Sequence, residues 1–318
     1  MKSVAARLVE HGRPLQVAEC DLPVPGDDEA EIEMLYGGVN PVDRYRAQGT
    51  VNADSPLPRT LGAEGAGTVD GRSFVVFGHG VGTSRDGIWA TRAIVPRAAL
   101  IEVPAGVDLR CAAVMGVAGV TAWQTVTELA QVTADDRVLV LGAAGGVGSI
   151  IVSLAHRLGA AVWGQSNDPG AVAWLEARGA DRVVTAGPGD LAGELRQFRP
   201  TVAFDPLGDG FTGAVIESLA PRGRLVTFGT SAGPTGTIHL QTLYRSALQI
   251  MGYGGLRDSQ EILGAALARA LCALAEGRLD VAIGKTLSLG QVNEAFDLLA
   301  ERKVRGKVVL DLQYDLQS

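Results

Sequence analysis

"VLVLGAAGGVGSIIVSLAHRLGA", residues 138–160, admits two readings that lead to different proteins. Val138 to Ala155 carry no charge over eighteen residues, close to the length that crosses a bilayer. Against a spanning helix stand Gly142, Gly145, Gly146 and Gly148, set between two different periodicities. Upstream, "RVLVLG" is a short run of leucine and β-branched residues, the pattern of a strand buried on both faces. Downstream, Ile150, Ile151, Leu154, Ala155 and Leu158 recur at helical spacing, with His156 and Arg157 turned away. Gly159 supplies a helix stop, and "AAVWG" follows at once as a second apolar strand. The stretch reads as strand, turn, helix, strand.

A turn of this kind has a specific chemistry. Glycines let the backbone approach a pyrophosphate, and the following helix points unpaired N–H groups and its positive dipole end at the anion. The strict fingerprint is GxGxxG, and "AAGGVG" (143–148) has Ala143 at its first position. Glycine-rich strand–helix turns also serve as packing devices, so the βαβ setting is what favours a dinucleotide. Ala144, Gly145, Gly146, Val147 and Gly148 are then the cofactor-facing backbone. Alternation continues: "DRVVT", "TVAFDPLG", "GRLVTFG" and "LQIMGY" read as strands, with "AVAWLEARG" and "FTGAVIESLA" helical between them.

The flanks differ. "AEIEMLY" alternates charged and apolar residues as a half-buried strand does, and the first 115 residues hold several such strands with Pro/Gly turns. Near the C-terminus a helix is expected to open at Asp258 and Glu261 in capping-box spacing, to carry Leu263, Leu267, Leu271 and Leu274 on one stripe, and to stop at Gly277.

The 318 residues suffice for about two domains. A net charge of −7, with no basic cluster longer than "ERKVRGK", argues against nucleic acid as a partner. Cys20, Cys111 and Cys272 form no CxxC pair, which fits a reducing compartment. The N-terminus has no apolar signal core, so a cytoplasmic protein with no membrane partner is expected.

Over nearly its whole length the chain resembles the medium-chain dehydrogenase/reductase superfamily, in its zinc-free quinone oxidoreductase (zeta-crystallin-like) branch. The resemblance rests on "GGVNPVDRYRAQG" (37–49), "LPRTLGAEGAGTV" (57–69), "GIWATRAIVP" (87–96), "GVAGVTAWQTV" (116–126) and "VRGKVVLDL" (304–312), in family order around the glycine turn. It implies an α/β fold in which a Rossmann doubly wound parallel sheet (119–251) is inserted in a β-rich GroES-like catalytic domain (1–118 and 252–318). The sister branch holds zinc through a Cys, the His of a "GHE" motif and a second Cys. Here those first two positions are Asn40 and Ala63, in Gly62-Ala63-Glu64, and no four-cysteine lobe exists. Tetrahedral zinc needs three or four ligands, so no metal is expected, and His79 in "FGHG" reads as a loop residue.

Without a Lewis acid, alcohol oxidation is disfavoured, whereas hydride delivery to a quinone or α,β-unsaturated carbonyl needs only donors for the oxygen that gains charge. By resemblance Tyr45 is such a donor, or else a packed aromatic at a strand-to-loop corner. Asn40 binds substrate or water, or forms an Asx-turn before Pro41. Thr121 lies beside the nicotinamide, or bonds its own helix backbone. Glu64 pins backbone rather than moving protons. Ser166, about twenty residues past the turn, is neither Asp nor Glu and so favours NADPH over NADH. The family's usual lysine is missing from "DPGAVAW", and its downstream tyrosine is Ala186. Arg302 either reaches the 2′-phosphate or is a solvated helix-end charge, and Gly229, closing "GRLVTFG", completes the cofactor set.

The function expected is an NADPH-dependent quinone or enone reductase, with a homodimer formed through the sheet edge near "GRLVTFG" and with "SAGPTGTIHL" as the next edge segment. Two alternatives stay open: an enoyl-thioester or biosynthetic tailoring enoyl reductase, and a dinucleotide-binding structural or regulatory protein with little turnover.

Overall fold

The "RVLVLG" run forms a strand, Arg137–Val140, whose inner residues are fully buried, as an apolar run without alternation requires. The computed structural model describes residues 2–51, 53–255 and 258–313. The glycine turn leads into a helix, Gly146–Arg157, that buries Ile150, Ile151, Leu154 and Ala155 and ends where Gly159 turns left-handed (φ 87°). At twelve residues this helix is far too short to span a bilayer. Among the described residues no helix is long and apolar enough to do so.

The chain divides into two compact units, Met1–Val120 with Ser259–Glu276 and Val281–Ser318, and Thr121–Asp258 with Gly277–Asp280. The second unit carries a six-stranded, wholly parallel sheet. From edge to edge its strands are Arg182–Val184, Ala161–Gln165, Arg137–Val140, Val202–Asp205, Arg224–Thr227 and Gln249–Gly252. Numbered along the chain this order is 3-2-1-4-5-6, the doubly wound arrangement. Each strand read from the sequence is present. The sheet edge is Gln249–Gly252, and "SAGPTGTIHL" forms no strand, so the expected next edge segment is corrected. Its two glycines and proline offer little to a ladder.

The first unit is β-rich. A sheet runs Ile283–Ser288, Lys307–Asp311, Glu29–Val39, Glu64–Val69, Arg72–Phe77 and Leu100–Glu102, with Arg92–Pro96 also paired to Glu29–Val39. A smaller sheet orders Gln16–Asp21, Lys2–Leu8 and Arg59–Thr60. Alternation in Glu29–Val39 buries Ala30, Ile32 and Met34, the last two in a core that also holds Trp89. The helix Gln260–Ala275 stops before Gly277, as expected, but its cap is Ser259, whose hydroxyl accepts from the Ile262 N–H at 3.3 Å, and not Asp258. Asp258 instead accepts from Gln124 Nε2 at 3.3 Å.

Candidate functional site

In the first unit, antiparallel pairing sets the ends of three strands side by side: Val308 lies opposite Val39, and Gly37 opposite Gly65. The residues at those ends, Asn40, Glu64 and Lys307, thereby meet. Lys307 is 4% exposed, and its ammonium donates to Asn40 Oδ1 at 2.5 Å, Glu64 Oε1 at 3.2 Å and the Val39 carbonyl at 3.2 Å. Asn40 Nδ2 donates to Glu64 Oε1 at 2.7 Å, and Glu64 Oε2 accepts from the Val117 N–H at 2.6 Å. Glu64 is wholly buried, and the space for its carboxylate exists because residue 38 is glycine: a Cβ there would stand 2.5 Å from Glu64 Oε1. Glu64 therefore pins backbone, as expected.

Asn40 caps the helix Pro41–Ala47, so the loop expected around Tyr45 is helical. Proline opens this helix where a missing N–H costs nothing, and Asp43 two residues later accepts from the Asn40 N–H at 3.0 Å. Asp43 also accepts from Arg46 Nη1 at 3.2 Å, a second buried ion pair beside the first. Burial pushes the Asp43 carboxyl up to about 6, the Glu64 charge adds to this, and Arg46 and Lys307 oppose it. The amide of Asn40 is thus oriented at both ends, with one N–H left to donate. Tyr45 lies on the same helix, is 40% exposed and is not a packed aromatic. Its hydroxyl has no hydrogen-bond partner among the described residues.

The second unit presents the glycine turn at the C-terminal end of its first strand, beside the point where the strand order reverses. Ala144 to Val147 stay half-exposed between buried Ala143 and buried Gly148. A Cβ on Gly148 would lie 2.5 Å from the Gly142 carbonyl oxygen, so the tight turn requires glycine there. The first N–H groups of the twelve-residue helix face this backbone cradle, which fits the pyrophosphate of a nicotinamide dinucleotide.

The other expected residues are placed differently. Ser166 follows the second strand but is only 5% exposed, and its hydroxyl oxygen accepts from the Asp168 N–H at 3.2 Å. Gly229 follows the fifth strand and is half-buried. Thr121 lies in a short α-helical stretch, Val120–Trp123, between two π-helical ones. Thr125 and Thr127 bond helix carbonyls, whereas the Thr121 side chain stands beside the Tyr253 hydroxyl. Tyr253 in turn donates to Gln124 Oε1 at 2.7 Å, and burial holds its phenol up at about 12. Arg302 is exposed in a left-handed turn (φ 54°) after the helix Val292–Ala300. His79 is a left-handed loop residue (φ 50°), and among the described residues no group of three His, Cys, Asp or Glu is placed to hold a metal. Sequence reasoning missed Lys307. The one available signal was a lysine opening an otherwise apolar strand, "GKVVLDL", since a buried charge needs a partner.

Comparison with known proteins agrees with this architecture. Residues 178–310 match the family model described as zinc-binding dehydrogenase. Prostaglandin reductase-3 of Bos taurus is 28% identical over 94% of this chain and 85% of its own length. Among solved structures, an NAD-dependent alcohol dehydrogenase superposes with a TM-score of 0.86 at 27% identity, over 98% of this chain and 99% of that one. The quinone oxidoreductase of Thermus thermophilus, described together with its NADPH complex, gives 0.84 at 26% identity, over 98% and 100%. Over nearly its full length the chain thus has homologues, at 26–28% identity, in the quinone oxidoreductase and prostaglandin reductase branch of the medium-chain dehydrogenase/reductase superfamily.

Proposed function

We propose that the protein reduces a quinone or an α,β-unsaturated carbonyl with NADPH and without a metal. The observation that carries this reading is the closed Asn40–Glu64–Lys307 network: where the sister branch has metal ligands, this chain has an amide fixed by a buried ion pair. When bound, the nicotinamide supplies a hydride. The acceptor oxygen then gains negative charge, and the groups of this chain suited to meet it are the remaining Asn40 N–H and the Tyr45 hydroxyl. The Asn40 amide is held by its bonds to Glu64 and Lys307 beforehand, so this donor needs little reorganisation. Thr121, Gly229 and Arg302 are assigned to cofactor contact. The name of the Thermus thermophilus relative, a quinone oxidoreductase, supports a quinone as acceptor.

The test is steady-state NADPH oxidation with a benzoquinone, phenanthrenequinone and several enones, before and after exhaustive chelation. Turnover of at least one class, unchanged by chelation, is expected. Activity lost on chelation and restored by zinc would refute metal independence. Within that assay, Tyr45→Phe is expected to lower kcat for an enone by ~10-fold, and less for a quinone, which accepts charge more easily. NADPH affinity should not change. Because Tyr45 is 40% exposed, solvent takes part in stabilising the charge, and the loss should fall below that of a sealed oxyanion hole. Wild-type rates with both acceptors would make Tyr45 a bystander.

A homodimer is proposed through the edge strand Gln249–Gly252. Its Ile250 is exposed, as are Leu240 and Tyr244 on the helix Leu240–Arg245. An unpaired edge flanked by apolar side chains is a template for a second copy about a two-fold axis. Sedimentation at micromolar concentration should show a dimer, and Ile250→Lys should shift it to monomer. A wild-type monomer would refute the assignment.

A further inference from the structure

The second strand of the parallel sheet ends in Gln165, Ser166, Asn167 and Asp168, at the place where doubly wound folds meet the adenine ribose. Ser166 is turned inward, and its oxygen already accepts from the Asp168 N–H. Asn167 is exposed. Its amide is nevertheless oriented, by a side chain that is itself buried. Gln165 is 1% exposed, and its Nε2 donates to the Ala186 carbonyl at 3.0 Å and to Asn167 Oδ1 at 2.8 Å. Its Oε1 accepts from the Gly142 N–H of the glycine turn at 3.2 Å.

These bonds assign both amides without ambiguity. A carbonyl oxygen can only accept, so the Gln165 atom facing Ala186 must be nitrogen, and the Asn167 atom facing that nitrogen must be oxygen. Asn167 Nδ2, with two N–H donors, is therefore the end left for a ligand. The same Gln165 bonds the glycine turn, so the donor is held in fixed relation to the pyrophosphate cradle. From residue 158 to residue 177 there is no lysine or arginine, so this segment offers the ribose no fixed cation, and the one carboxylate beside Asn167, Asp168, accepts from the Gly170 N–H at 2.8 Å.

Resting on the dinucleotide reading above, we propose that Asn167, oriented by Gln165, reads the 2′ position of the adenine ribose, in place of Ser166. A neutral amide can donate to a 2′-phosphate or to a 2′-hydroxyl. It therefore favours NADPH by hydrogen bonding to the more highly charged acceptor, and leaves NADH a usable ligand.

Calorimetric binding of 2′,5′-ADP and 5′-AMP tests this without turnover. Wild-type protein should bind both fragments, the bisphosphate more tightly. Asn167→Ala should weaken 2′,5′-ADP by roughly 10-fold and leave 5′-AMP within roughly 2-fold, the scale of one charge-assisted hydrogen bond. Asn167→Asp should reverse the order of the two fragments by setting a carboxylate against the phosphate. Ser166→Ala should change neither. An unchanged ratio in Asn167→Ala, or a ratio abolished by Ser166→Ala, would overturn the role of Asn167 while leaving the nucleotide site intact. Failure of the wild-type protein to bind either fragment would overturn the dinucleotide reading, and this inference with it.

Discussion

Lys307→Met is expected to destabilise the fold by about 3–5 kcal/mol, the cost of removing one partner from a buried ion pair. Lys307 is 4% exposed, and its ammonium has three acceptors: Val39 O, Asn40 Oδ1 and Glu64 Oε1. Methionine fills a similar volume, so little of the loss should come from a cavity. What remains is a wholly buried Glu64 carboxylate, facing the Asn40 amide and the Val117 N–H with no compensating cation. Denaturant midpoints at neutral pH would measure the loss. The double variant Lys307→Met, Glu64→Gln removes both charges and should recover at least half of it, because a neutral amide can still accept from Val117. A single variant within about 1 kcal/mol of wild type would show that the pair is not a structural tie. Equal losses in the single and double variants would show that packing, not charge, holds this corner together.

The second large effect is the pH dependence that Asp43 imposes. Its carboxyl stands at about 6 in the folded protein against an ordinary value of 3.8, with burial as the main cause. The folded state therefore holds this proton more tightly than the unfolded chain does. Its contribution to stability is fully present below pH 3.8 and is lost as pH rises through 6. The shift corresponds to about 3 kcal/mol. Other carboxylates titrate in the same window, so the measurement is a difference. Unfolding free energies of Asp43→Asn and wild type, taken from pH 4 to pH 7, should diverge in favour of the variant by about 2 kcal/mol, the part of the shift that falls in this window. A constant difference would mean that Arg46, 3.2 Å away, keeps Asp43 ionised throughout.

The helix Pro41–Ala47 shows how close a local reading comes. Asn-Pro-x-Asp is a cap, a first-turn proline and an acidic third residue, yet asparagine before proline is equally a loop signal, and that reading puts Tyr45 at a corner. Asp258 and Ser259 present the opposite difficulty. Both can cap a helix, and the choice falls to Ser259 because Gln124, far away in the chain, bonds Asp258. Ser166 sits where the spacing puts it, but its burial depends on the neighbouring strand, where its N–H bonds the Val184 carbonyl at 3.1 Å.

Local pattern alone determined the strand–turn–helix–strand unit of residues 137–165, the parallel class of its sheet and the glycine cradle. Each of these is written in a periodicity or in backbone freedom that spans only a few residues. The 3-2-1-4-5-6 order and the meeting of Lys307 with Asn40, 267 residues earlier, were decided only in three dimensions. So were the burial of Ser166 and the orienting of the Asn167 amide by Gln165. Strand pairing and the orientation of a side-chain amide are set by partners that no local window contains, since a hydrogen bond joins neighbours in space whatever their separation along the chain.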